Sequence, residues 1–131
     1  MTRPAIEIQG VGQLAKALKN AGDEGLSAVL KTAHLEGAET VAATARTLAP
    51  KLSGSLRSSI RSSATLRSGR VRAGKKKVPY AAPIHFGWGR RGIHPQPFLY
   101  MALDRRREEV LDNFMEAIEA MTDDVVNEAN K

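Results

Sequence analysis

The sequence predicts an α+β domain: a small antiparallel sheet with a long basic hairpin, packed against a long central helix and a C-terminal helix. Three observations support that class. Apolar residues recur at three- and four-residue steps from Glu24 to Leu48 and again after Pro97, the period of an amphipathic helix. Between these stretches the period falls to two, as in strands with one buried face. The length of 131 residues suits one domain with a core of modest size, so 1–131 is read as a single unit.

The elements follow in order. Residues Ala5 to Gln9 alternate apolar and polar side chains, as a short strand does, and Gly10 and Gly12 end it. Residues 13–19 read as a short helix with Leu14, Ala17 and Leu18 on one side, and Asp23 as the N-cap of the next helix. The stripe of the Glu24–Leu48 helix is Leu26, Val29, Leu30, Ala33, Gly37, Val41, Ala45 and Leu48. Gly37 costs a helix roughly 1 kcal/mol relative to alanine, so it is read as a point of close packing. Pro50 stops the helix, because the residue before a proline avoids the α region.

Residues 55–79 are read as an extended hairpin. Leu56, Ser58, Ile60, Ser62, Ala64 and Leu66 form one face, and Arg57, Ser59, Arg61, Ser63, Thr65 and Arg67 the other. Ser68-Gly69 is the turn signal, and Arg70 to Ala73 resume the alternation. Gly74 and Lys75, Lys76 and Lys77 form a basic loop. Val78 to Phe86 is expected as a third strand, at an edge or broken by Pro79 and Pro83.

Residues 79–100 hold four of the six prolines and five of the six aromatic residues, with no acid. Such a segment is a stiff, partly buried connection rather than a linker, with Tyr80, Phe86, Trp88 and Phe98 as its core and loop anchors. Trp88, between two glycines, is expected to be exposed in the free subunit and buried in an assembly. Pro97 suits the first position of the final helix, where a missing N–H costs nothing. That helix has its stripe at Leu103, Val110, Leu111, Phe114, Ile118, Met121 and Val125, with Asp104, Glu108, Glu109, Asp112, Glu116 and Glu119 over much of the rest. Residues 126–131 are expected to fray.

Charge is segregated. The net charge is +6, yet residues 40–103 carry twelve Lys and Arg and no acid, while residues 104–131 carry nine acids and four bases. This pattern fits a polyanion partner, or a basic middle that meets the acidic end of a neighbouring subunit. The chain has no cysteine, which excludes disulfides and thiolate metal sites. His34, His85 and His94 are too scattered for a metal motif, and His85 is read as a packing or hydrogen-bonding residue. No nucleophile elbow or phosphate-binding glycine loop is present, nor any apolar run long enough to span a bilayer. The expectation is a protein that is not an enzyme, takes no cofactor and has no membrane partner. Base-specific nucleic-acid motifs are also absent.

The string from Leu48 to Ile60, with Pro50, Gly54, Leu56 and Ile60 as its fixed points, resembles a signature of the small neck and tail-component proteins of long-tailed bacteriophages. Tyr80-Ala81, Phe86-Gly87, Pro95 to Phe98 and Ala102 follow at the spacing of that family. The resemblance covers roughly residues 26–120. One departure is His85, where the family often has an acidic or neutral residue before the Phe-Gly pair. The resemblance implies a structural subunit of a ring, six copies around, at the head–tail junction of a virion. It would complete or terminate the tail tube and join it to the head, as a connector, tail-completion or minor tail protein made in the host cytoplasm. Implied partners are further copies of the chain, the tail tube protein, a head-side connector or stopper protein, and double-stranded DNA in the lumen. The alternative is a sequence-independent DNA-binding protein that uses the basic hairpin as an arm.

Candidate contacts to a neighbour or an anionic partner are Arg57, Arg61, Arg67, Arg70 and Arg72 on the hairpin, Lys75, Lys76 and Lys77 at the loop, and Trp88, Arg90 and Arg91 in the connection. The hairpin arginines have no acid nearby in sequence. Reversing Arg57 and Arg61 to glutamate is expected to leave the fold intact and block assembly. Pro50, Gly54, Leu56, Ile60, Tyr80, Phe86, Gly87, Pro97 and Phe98 are read as structural.

Overall fold

The computed structural model describes residues 3–9, 24–50 and 54–129. The expected helix over 13–19 and the cap at Asp23 lie outside them, as do the side chains of Leu26, Met121 and Val125. The chain runs β1 (Ala5–Gln9), α1 (Glu24–Leu48), α2 (Ser55–Ser59), β2 (Arg61–Ala64), β3 (Ser68–Arg72), α3 (Ala81–Phe86), a 3-10 turn (Gly89–Arg91) and α4 (Phe98–Ala129). The α+β class stands. The strands form an antiparallel sheet in the order β1-β3-β2. Helix α1 crosses one face of the sheet and α4 packs chiefly on α1.

Helix α1 keeps its sequence-derived span, but its buried stripe is rotated slightly. Leu30, His34, Ala38, Val41, Ala42, Ala45 and Ala49 are buried, and Val29 is exposed. The small side chains let neighbours close in. A Cβ on Gly37 would lie 3.1 Å from Cγ1 of Val110 on α4, so Gly37 is a close-packing site.

The predicted hairpin is shorter than 55–79. Gly54 takes the left-handed conformation (φ 83°), which costs glycine no Cβ clash. The Ser58 N–H then donates to the Gly54 carbonyl at 3.0 Å, and residues 55–59 close a helical turn. Leu56 and Ile60 are nonetheless fully buried, because a spacing of four serves a helix as well as a strand. The reversal falls at 65–67 and not at Ser68-Gly69. There the Thr65 hydroxyl accepts from the Arg67 and Ser68 N–H groups, and the Thr65 N–H donates to the Ser68 carbonyl. Ser68 and Gly69 begin β3.

The third strand is β1, whose Ile6 and Ile8 stand opposite Val71 and Gly69. Residues 78–86 instead give the Lys75–Val78 turn and α3. Pro83 is accommodated in the first turn of α3, where N–H groups have no intrahelical acceptor. Pro97 lies just before α4, and its carbonyl accepts from the Met101 N–H at 2.9 Å. Phe98, Leu99, Ala102 and Val110 are buried, whereas Leu111 is exposed, not part of the buried stripe.

Ser59 departs furthest from its predicted place on an open arginine face. It is 1% exposed. Its hydroxyl donates to the Leu56 carbonyl at 2.6 Å and accepts from the Gly74 N–H at 2.9 Å. It thereby joins the end of α2 to the end of β3. Ser59→Ala leaves a buried N–H without an acceptor and is expected to cost about 1–3 kcal/mol in urea unfolding. An unchanged midpoint would contradict this role.

Candidate assembly interface

The strand register sorts side chains onto two faces. Ile6, Val71 and Ser62 share one row of the sheet and face α1. Ile6 and Val71 enter the core, and the Ser62 hydroxyl donates to Glu39 on α1 at 2.5 Å. The next row is Ala5, Arg72 and Arg61, and Glu7, Arg70 and Ser63 share another on the same outer face. Period-two alternation places all six away from α1. Arg61 stands directly opposite Arg72, and like charges so paired are destabilising unless an anion covers them.

The five hairpin arginines are not equivalent. An Arg61 Nη atom donates to the carbonyls of Ser59 and Gly74, both at 2.8 Å. Arg57 is half-buried and reaches the Ala49 carbonyl at 3.4 Å. These two brace the backbone, so reversing both would damage the subunit, contrary to the expectation from sequence. Arg70 pairs with Glu7 at 3.4 Å, an acid supplied by β1 from far along the chain. Arg67, in the turn, and Arg72 are exposed.

Lys75, Lys76 and Lys77 continue the basic surface beyond β3 and are all exposed. They form a tight turn rather than a slack loop, closed by the Val78 N–H to the Lys75 carbonyl at 2.9 Å. Arg3, which sequence reasoning did not select, approaches the same end: its Cγ lies 3.8 Å from where a Gly74 Cβ would be. Trp88 is half-buried, with the Arg91 guanidinium 5.2 Å from its ring centre. Trp88 and Ile93 exchange N–H···O bonds of 2.9 and 3.0 Å, which makes the Arg90–Arg91 segment a small closed loop. Phe98 is buried and Tyr80 half-buried, but Phe86 is 49% exposed.

Glu39, on α1, holds the inner face of the sheet through Ser62. It accepts from Arg46 at 2.7 Å and from Ser62. Those two hydrogen bonds hold its carboxyl below the usual carboxylate range. The resulting stability is present above the unfolded pKa and is lost as pH falls through the folded one. Glu39→Gln is therefore expected to narrow the stability difference between pH 6 and pH 3 in thermal melts; an unaltered difference would contradict it.

A cavity of about 580 Å³ lies among β1, α1 and α4, apolar except for Glu7, His34 and Arg107. His34 is buried there with its ring 5.0 Å from Phe114. Burial depresses its pKa, partly opposed by backbone groups of Leu66, Thr65 and Leu30. Among the described residues no group of three or more His, Cys, Asp or Glu is placed to hold a metal ion, and no helix is long and apolar enough to cross a membrane. No known protein family, curated protein or solved structure matches this chain.

Proposed function

We propose that this chain is a structural subunit of a ring at the head–tail junction of a long-tailed bacteriophage, completing or terminating the tail tube and joining it to the head-side connector. It works by assembly and not by chemistry. The observation that carries the reading is the outer sheet face, where Arg61, Arg70 and Arg72 stand with Glu7 as the one acid among the paired residues. A face of this kind steers an anionic surface into register. The phage-like signature supports it from another side. Pro50 follows α1, Gly54 opens α2, and Leu56, Ile60 and Phe98 are core residues, so the signature specifies a scaffold and leaves the charged surface free to select partners.

An amber stop early in the gene tests the reading. The expected result in a non-suppressing host is filled heads and separate tails, with joining restored by suppression. Normal joined particles would overturn it. Sequence-independent DNA binding uses the same cations and predicts instead a protein–duplex complex that weakens steeply with salt.

A further inference from the structure

We infer that the exposed acidic and apolar stripe of α4 docks on the basic outer sheet face of a second copy of this chain, in a head-to-tail contact. This rests on the ring reading and names the two surfaces that meet.

The stripe comprises Met101, Glu108, Leu111, Asp112, Met115 and Glu119. At 3.6 residues per turn these fall within about 100° of arc. All six are exposed, with Met101 at 41%, Leu111 at 57% and Met115 at 49%. Leu99, Ala102 and Val110, on the other side of the helix, are buried. From Glu108 to Ala120 the helix has five acids and no base. Large exposed apolar side chains between carboxylates give an interface its apolar centre and polar rim. The neighbouring carboxylates select a basic partner.

The complementary surface on the same chain is Arg72 with Lys75, Lys76 and Lys77, all exposed. It cannot meet its own stripe. Arg72 lies on the outer face of the sheet, whereas α1 packs on the inner face and α4 on α1, with Leu111 and Met115 at the edge of the cavity that α4 shares with α1 and β1, so the two charged surfaces lie on opposite sides of the sheet. The contact must join two copies. Such heterologous contacts either close into a ring or extend as a filament, and the junction role requires closure.

Sedimentation velocity of the full chain at about 50 mM salt, where exposed charges are weakly screened, tests the contact. One variant combines Glu108→Lys, Asp112→Lys and Glu119→Lys. The other combines Arg72→Glu, Lys76→Glu and Lys77→Glu. The parent is expected to self-associate, and each variant alone to associate at least about tenfold more weakly, because its two surfaces now carry the same sign. An equimolar mixture is expected to recover association, since each variant supplies the surface that the other needs. Recovery also shows that both variants are folded. A monomeric parent, a variant that associates like the parent, or a mixture that does not recover would overturn the inference. So would a parent whose self-association is unchanged in the lysine-and-arginine variant while its binding to a DNA duplex is lost. If the amber stop blocks joining but association ignores both charge sets, this contact fails and the junction role stands. Association as inferred, by a chain whose loss leaves particles joined, would have the reverse meaning.

Discussion

Gly69→Ala is expected to destabilise the subunit by on the order of 3 kcal/mol, among the largest effects of any single methyl group. A Cβ at this position would lie 2.5 Å from the His34 carbonyl oxygen and 3.1 Å from the Ala38 Cβ. The first is helix backbone and cannot rotate away. Relief requires β3 to lift from α1, and β3 is the central strand, paired to β1 and β2. Lifting it therefore loosens the sheet on both sides and strips contacts from Val71 and Ile6 in the core. Urea denaturation measures the effect. Gly89→Ala is the control, because a Cβ there meets nothing within 4 Å, and it is expected to stay within about 0.5 kcal/mol of the parent. Equal midpoints for the two variants would contradict the packing described.

The second large effect is on pH. His85 is 1% exposed on α3, and neither ring nitrogen has a hydrogen-bond partner. Its ring lies 4.6 Å from Phe86, 5.0 Å from Phe98 and 4.6 Å from Tyr100. Burial lowers its pKa to about 4 from 6.5. Between those values the unfolded chain binds a proton that the folded one refuses. The stability His85 contributes as a neutral group is thus complete above pH 6.5 and falls by roughly 3 kcal/mol as pH drops to 4. His34, whose pKa is also lowered by burial, acts in the same direction. His85→Leu removes the titration and two unsatisfied polar atoms. It is expected to flatten the pH dependence in this window and to melt higher than the parent at pH 5. The parental slope in the variant would refute this account.

The fold was legible where a pattern had one solution. The Glu24–Leu48 span, the Ala5–Gln9 strand, the final helix and the Gly54 turn all follow from local periodicity and backbone preference. It was not legible where two periods coincide: the Leu56–Ile60 spacing fits a helical turn and a strand alike, and alternating serines and arginines strengthened the strand reading. Long-range partners were also hidden. Nothing near Arg61 in sequence indicates the Gly74 carbonyl, nothing near Arg70 indicates Glu7, and Ser59 looks like its exposed neighbours until Gly74 is folded onto it. The candidate surface was visible as a charge bias, but its working members are fewer than the sequence suggested, because Arg57 and Arg61 are committed to the subunit's own backbone. Leu111 was assigned to the core because apolar type alone does not say how deeply a residue at the edge of the buried stripe of α4 is covered.

The most direct test of the proposed junction role is cryo-electron microscopy of the mature particle that the proposal assigns to this chain, with the neck resolved to side chains. The account predicts a closed ring of this chain between the tail tube and the head-side connector, with the Arg72 and Lys75–Lys77 surface covered by a neighbour. A fully resolved neck that contains no copy of the chain would contradict it.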